Sequence, residues 1–122
     1  MKFKEFSFVS YPVENVPQAR AFYEGILGLK PISVWEGEDS AFIEYEVGPD
    51  TLAIGKGAKH FKPGKTGGTV ALELDGDFDA AVKELKAKKV PILMDTYDGP
   101  ICNVILIEDP DGNQLMIHRR KK

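Results

Sequence analysis

The sequence predicts an α+β chain of two tandem βαβββ modules, and three observations carry that prediction. The order strand, helix, strand, strand, strand reads twice along the 122 residues. Matching residues accompany the order: Val9 to Val13 aligns with Val70 to Leu74 at an offset of 61, and Thr51 to Ile54 with Gln114 to Ile117 at 63. Finally, Asp109-Pro110-Asp111-Gly112-Asn113 is dense turn chemistry set between two strand-like runs, a hairpin closing the second half. The expected boundaries are one domain over 1–122, with module one at 1–57, a linker at 58–68 and module two at 69–122.

The first strand is expected over Phe6 to Tyr11, with Phe6, Phe8 and Ser10 on one face and Ser7, Val9 and Tyr11 on the other. Asn15 is the N-cap of the first helix, with Pro17 in its first turn and Gln18 three residues on. Ala19, Phe22, Tyr23 and Ile26 follow at helical spacing, and Gly28 supplies the stop. Strand-like runs at Pro31 to Trp35 and Ala41 to Val47 flank a polar turn, and Thr51 to Ile54 follows Gly48-Pro49-Asp50. The glycine- and lysine-rich stretch from 55 to 68 reads as connection rather than strand. Its Gly64-Lys65-Thr66 is no phosphate loop, because that motif needs glycine where Lys59 sits and a helix afterwards.

Module two opens with a strand at Thr69 to Leu74. Asp77 then caps a helix whose apolar face is Phe78, Ala81, Val82 and Leu85. Its lysine-rich opposite face reads as solvated surface. Pro-Ile follows the helix here, at Pro91-Ile92, as it does at Pro31-Ile32. Strands at Pro91 to Thr96, Cys102 to Glu108 and Gln114 to Arg119 complete the unit. In the last, Gln114, Met116 and His118 share a face opposite Leu115 and Ile117.

Composition narrows the function classes. A net charge of −3 gives no electrostatic case for nucleic acid, and Arg119-Arg120-Lys121-Lys122 reads as a solvated tail. No apolar run approaches the roughly 20 residues of a membrane span, and the N-terminus lacks a signal peptide's apolar region. A cytoplasmic location and no membrane partner are expected. Cys102 is the single cysteine, so neither an internal disulfide nor a cysteine-based zinc site can form. A buried thiol is the simplest reading of it, and a solvated loop side chain that of His60.

Ala21-Phe22-Tyr23-Glu24-Gly25-Ile26-Leu27-Gly28-Leu29, Phe78-Asp79-Ala80-Ala81-Val82 and the Asp109 to Asn113 turn, in this order on a duplicated frame, resemble the vicinal oxygen chelate superfamily. This is the glyoxalase, bleomycin-resistance and extradiol-dioxygenase group. The resemblance implies modules that form a cupped, mainly antiparallel sheet with helices outside, enclosing a cavity, in a homodimer. It also implies four metal-ligand positions, which fall here at Phe8, Ala53, Thr69 and Met116. Phe8 and Ala53 have no donor atom, Thr69 offers a neutral hydroxyl, and a lone thioether suits soft metals. No metal or other cofactor is therefore expected.

Strand parity then defines a face of Phe6, Phe8, Ser10, Ala53, Thr69, Ala71, Glu73, Gln114, Met116 and His118. The ligand-binding set expected for a small organic molecule is Phe8, Ala53, Thr69, Glu73, Gln114, Met116 and His118, apolar walls with a few placed polar groups. The alternative is a lyase, isomerase or dioxygenase. It would use His118 and Glu73 as acid and base, or a displaced divalent-metal site on those two with Glu44 or Glu46 added. Trp35, Phe42 and Tyr45 read as core packing or cavity wall, and Trp35, beside the polar turn, also as a ligand platform.

Overall fold

Apolar residues at alternate strand positions need cover on one face, and in each half of the chain an amphipathic helix supplies it. The computed structural model describes residues 1–59 and 61–121, in two units, Met1–Pro63 and Gly64–Lys122. His60 and Lys122 lie outside the described residues.

The first unit runs β1 (Val9–Pro12), α1 (Val16–Arg20), β2 (Lys30–Glu36), β3 (Ala41–Val47) and β4 (Asp50–Lys56). Its sheet has the order β1-β4-β3-β2, with β1 parallel to β4 and the other neighbours antiparallel. The Asn15 side chain caps α1 by accepting from Gln18 N–H at 3.0 Å. Beyond Arg20 the helix widens into a π-helical segment, Ala21–Ile26, with Leu27 N–H bonded to the Phe22 carbonyl. Phe22 and Tyr23, consecutive in sequence, are both buried there. Gly28, at φ +71°, ends the segment.

Tyr23 stacks on Tyr45 of β3 at 6.0 Å, which places the helix on the face of Tyr11, Ile43, Tyr45, Leu52 and Ile54. Tyr45 is thus core. Its hydroxyl donates to Glu24 at 2.9 Å, and Arg20 clasps the same carboxylate at 2.6 Å. Arg20 holds the Glu24 carboxyl below its ordinary range, while burial and then the Glu24 contact push the Tyr45 phenol well up.

The second unit repeats the plan with β5 (Val70–Glu73), α2 (Phe78–Ala87), β6 (Ile92–Asp98), β7 (Cys102–Glu108) and β8 (Gln114–Arg120), in the order β5-β8-β7-β6. Asp77 caps α2 by accepting from Asp79 N–H at 2.9 Å. Phe78, Val82 and Leu85 are buried with Ile105, Ile107, Leu115 and Ile117 in this unit's core. The β7–β8 hairpin is closed as its turn residues require. Asp109, 1% exposed, accepts from the backbone N–H groups of Asp111 and Asn113 and from the Asn113 side chain, all within 2.9 Å. Asn113 in turn accepts from Gly64 N–H at 3.1 Å.

Two boundaries differ from those read in the sequence. The first ladder opens at Val9 opposite Leu52, leaving Phe6 and Phe8 ahead of the strand. Phe8 instead sets its ring edge-on to Phe42 of β3, with centroids 5.4 Å apart. The glycine-rich stretch begins later than position 55, because β4 continues through Gly55 and Lys56. Gly55 is no breaker: a Cβ there would lie 3.1 Å from Phe42 Cδ1, so its bare backbone makes room for the ring.

Candidate functional site

Parity on β8 and its neighbours sorts the exposed face of the second sheet into rows. The first row is polar. Gln114 Nε2 donates to the Thr69 hydroxyl across the β5–β8 edge, and Glu108 lies opposite Gln114 on β7 with Lys65 at 3.5 Å. The second row is apolar: Ala71 beside Met116, Met116 beside Leu106, and Leu106 beside Met94. The third row holds Glu73 beside His118, then Val104 and Tyr97.

The third row carries the titratable chemistry. Glu73 and His118 occupy directly paired positions on parallel strands, and Glu73 Oε1 lies 2.6 Å from His118 Nδ1. The second oxygen, Oε2, accepts from Arg120 N–H at 2.7 Å. That backbone N–H, and after it His118, hold the Glu73 carboxyl below its ordinary range. Glu73 is therefore a carboxylate at neutral pH and can only accept, so the proton in the short contact belongs to His118 Nδ1. The tautomer is thereby fixed. In the neutral ring Nε2 is left as the acceptor, and in the protonated ring it becomes a donor. The His118 side chain is 21% exposed, within reach of a solute.

Five of the seven residues expected from sequence, Thr69, Glu73, Gln114, Met116 and His118, thus share one face of one sheet. Phe8 and Ala53 belong to the first unit. Phe8 is 47% exposed, ahead of β1. Ala53 sits on the parity face, between Ser10 and Glu44, but is 0% exposed and offers a ligand no surface. Sequence reasoning passed over two features. Met94 and Tyr97 join the second-unit face because irregular β6–β7 pairing re-aims β6, which alternation alone does not reveal. An open cleft of about 480 Å³ lies where the β2–β3 hairpin meets the start of α1, lined by Glu14, Glu36, Glu38 and Asp39 among others. It contains none of the expected residues.

The four positions at which the resemblance would place metal ligands hold no adequate donor set. Among the described residues no three His, Cys, Asp or Glu side chains cluster to hold an ion, and Glu73 with His118 supplies two ligands only. Nor is any described helix long and apolar enough to cross a membrane.

Solved structures of the same architecture are numerous. TnmS3, an antibiotic binding protein from Streptomyces sp. CB03234, superposes with a TM-score of 0.81 at 20% identity, covering 99% of both chains. A putative glyoxalase family protein from Bacillus anthracis gives 0.76 at 20% identity, over 99% of this chain and 98% of that one. The genomically encoded fosfomycin resistance protein FosX from Listeria monocytogenes gives 0.77 at 16%, over 97% and 94%. At these identities the likeness establishes the fold. No curated protein matches the sequence. The model of the glyoxalase/bleomycin resistance protein/dioxygenase superfamily matches residues 5–117, nearly the whole chain, and the protein belongs to that superfamily.

Proposed function

We propose that this protein is a metal-free member of its superfamily that binds a small organic molecule on the exposed face of the second unit. The observation that carries the reading is the three-row arrangement: an apolar strip through Met116 between the Thr69–Gln114 pair and the Glu73–His118 pair. Apolar contact area with a few fixed polar groups is what recognition of a small organic molecule requires. The fold neighbours named for antibiotic binding and fosfomycin resistance support a small-molecule ligand of this kind. The protein acts in the cytoplasm as a homodimer, a state supported by the apolar side chains exposed on the outer strands, Ile32 and Val34 on β2 and Leu93 on β6. A monomeric mass at micromolar concentration would contradict the dimer.

The Glu73–His118 contact favours a second reading, in which the same face performs proton transfer. With Nδ1–H held by a carboxylate, His118 Nε2 is positioned to take a proton from a bound molecule, and Glu73 stabilises the resulting imidazolium. One experiment addresses both. A small-molecule library is screened by thermal shift on wild type, Met116→Ala and His118→Ala, with metal content measured on the same samples. Met116→Ala is expected to weaken binding through lost contact. His118→Ala is expected to weaken binding through loss of the imidazole that Glu73 orients. Turnover of a hit, lost in His118→Ala, would favour the enzyme. Equal binding by all three proteins, or one tightly bound metal per chain, would refute the proposal.

A further inference from the structure

We propose that Arg119 is a positioning residue: by occupying the Leu74 carbonyl it releases the Arg120 N–H to fix Glu73 against His118. The inference rests on the reading above and names the device that orders its polar pair. All of its residues belong to the second unit. Arg119 to Lys121 are part of the basic run that reads from sequence as a solvated tail.

The last rung of the β5–β8 ladder carries the argument. β5 ends at Glu73, while β8 runs on to Arg120. Leu74 N–H donates to the His118 carbonyl at 2.7 Å. In a regular parallel ladder the Leu74 carbonyl would next accept from the N–H two residues further along β8, that of Arg120. Both partners are exchanged instead. The Leu74 carbonyl accepts from Arg119 Nη1 at 3.1 Å, and Arg120 N–H donates to Glu73 Oε2 at 2.7 Å. One neutral backbone bond gives way to two bonds with a charged partner, each roughly twice as strong. The other Glu73 oxygen is thereby presented to His118 Nδ1, at 2.6 Å.

The direction of the Arg120 N–H is set from the opposite edge of β8. Lys121 N–H donates to the Ile101 carbonyl at 2.8 Å, toward β7. Successive N–H groups on a strand leave by opposite edges, so that of Arg120 leaves on the side of β5 and Glu73. Lys121 Nζ fastens this end of β8 by bonds to Asp98 and, at 2.7 Å, to the Gly99 carbonyl. With β8 held this way, the Leu74 carbonyl and Glu73 compete for one N–H. The Arg119 guanidinium decides the competition by satisfying the carbonyl.

Hydrogen-bond couplings measured by NMR on the labelled full chain test this directly. In wild type the Arg120 amide nitrogen should couple to the side-chain carboxyl carbon of Glu73. Arg119→Met keeps the chain length but removes the donor, and its Arg120 nitrogen should couple to the Leu74 carbonyl carbon instead. The ring ¹⁵N shift of His118 Nδ1 should then move from the protonated toward the unprotonated range. Arg119→Lys supplies a cationic donor again and should restore both wild-type signals. Coupling of Arg120 to Leu74 in wild type would overturn the inference, whether or not Arg119→Met folds. So would an Arg119→Met protein that keeps the Glu73 coupling and the wild-type ring shifts. None of these signals needs a ligand, so this inference and the proposed binding face fail separately.

Discussion

The two units share a register and differ in what they put on it. Pro12 pairs with Gly55 in the first unit at the place where Glu73 pairs with His118 in the second. Ser10 beside Ala53 corresponds to Ala71 beside Met116. The helix-facing positions between them stay apolar in both, Tyr11 with Ile54 and Leu72 with Ile117. Duplication has therefore kept the side that builds the core and varied the side that meets solutes. In the first unit Phe42 covers the bare Gly55, giving an aromatic surface. In the second the same position holds an imidazole fixed by a carboxylate. One backbone plan supports two chemistries because alternation lets either face of a strand change without disturbing the other.

The turns joining the last two strands of each unit differ most in energy. In the first, Gly48 at φ +56° and Pro49 make a short exposed connection. In the second, buried Asp109 gathers three N–H groups. Asp109→Ala would strip those donors of a charged acceptor and is expected to destabilise the protein by about 2–4 kcal/mol in chemical denaturation. Asp50→Ala, in the exposed turn region, is expected to stay within about 0.5 kcal/mol. Equal effects would remove the distinction between the hairpins.

The helix exits give a smaller contrast. Gly28 and Lys89 both adopt positive φ, +71° and +58°, but only glycine does so without steric cost. Gly28→Ala should lower stability by about 1 kcal/mol, whereas Lys89→Gly should raise it by about 0.5 kcal/mol. A gain from both changes would mean that the exits are not equivalent.

Smallest is the contribution of Glu73 to the pH dependence of stability. Its folded pKa is depressed, so its stabilisation is fully present above the unfolded value, about 4.3, and is lost as pH falls through the folded value. Below about pH 5, wild type should lose stability relative to Glu73→Gln. A difference flat across the acid range would show that the Arg120 and His118 contacts do not act on this carboxyl in solution.

Local patterns made much of this legible in advance. Asn15 and Asp77 cap the helices they precede, and parity alone put Thr69, Glu73, Gln114, Met116 and His118 on one face. These features depend on neighbours a few residues away or on a period of two. The features that were not legible depend on partners far along the chain. Nothing near Ala21 announces a π-helical segment. Gly55 looks like a breaker until Phe42 is seen lying on it, and Phe8 looks like a strand residue until its ring is found against β3. Met94 and Tyr97 reach the second face only through irregular pairing.

The chain's three methionines allow a direct test of where the ligand sits. Met94 and Met116 stand in the apolar row of the second unit, and Met1 at the exposed N-terminus. In protein labelled with ¹³C at the methionine methyl groups, saturation with a hit from the thermal-shift screen should move the Met116 and Met94 signals and leave Met1 in place. Both row signals unmoved at saturation would place the ligand elsewhere and contradict the assignment of function to this face.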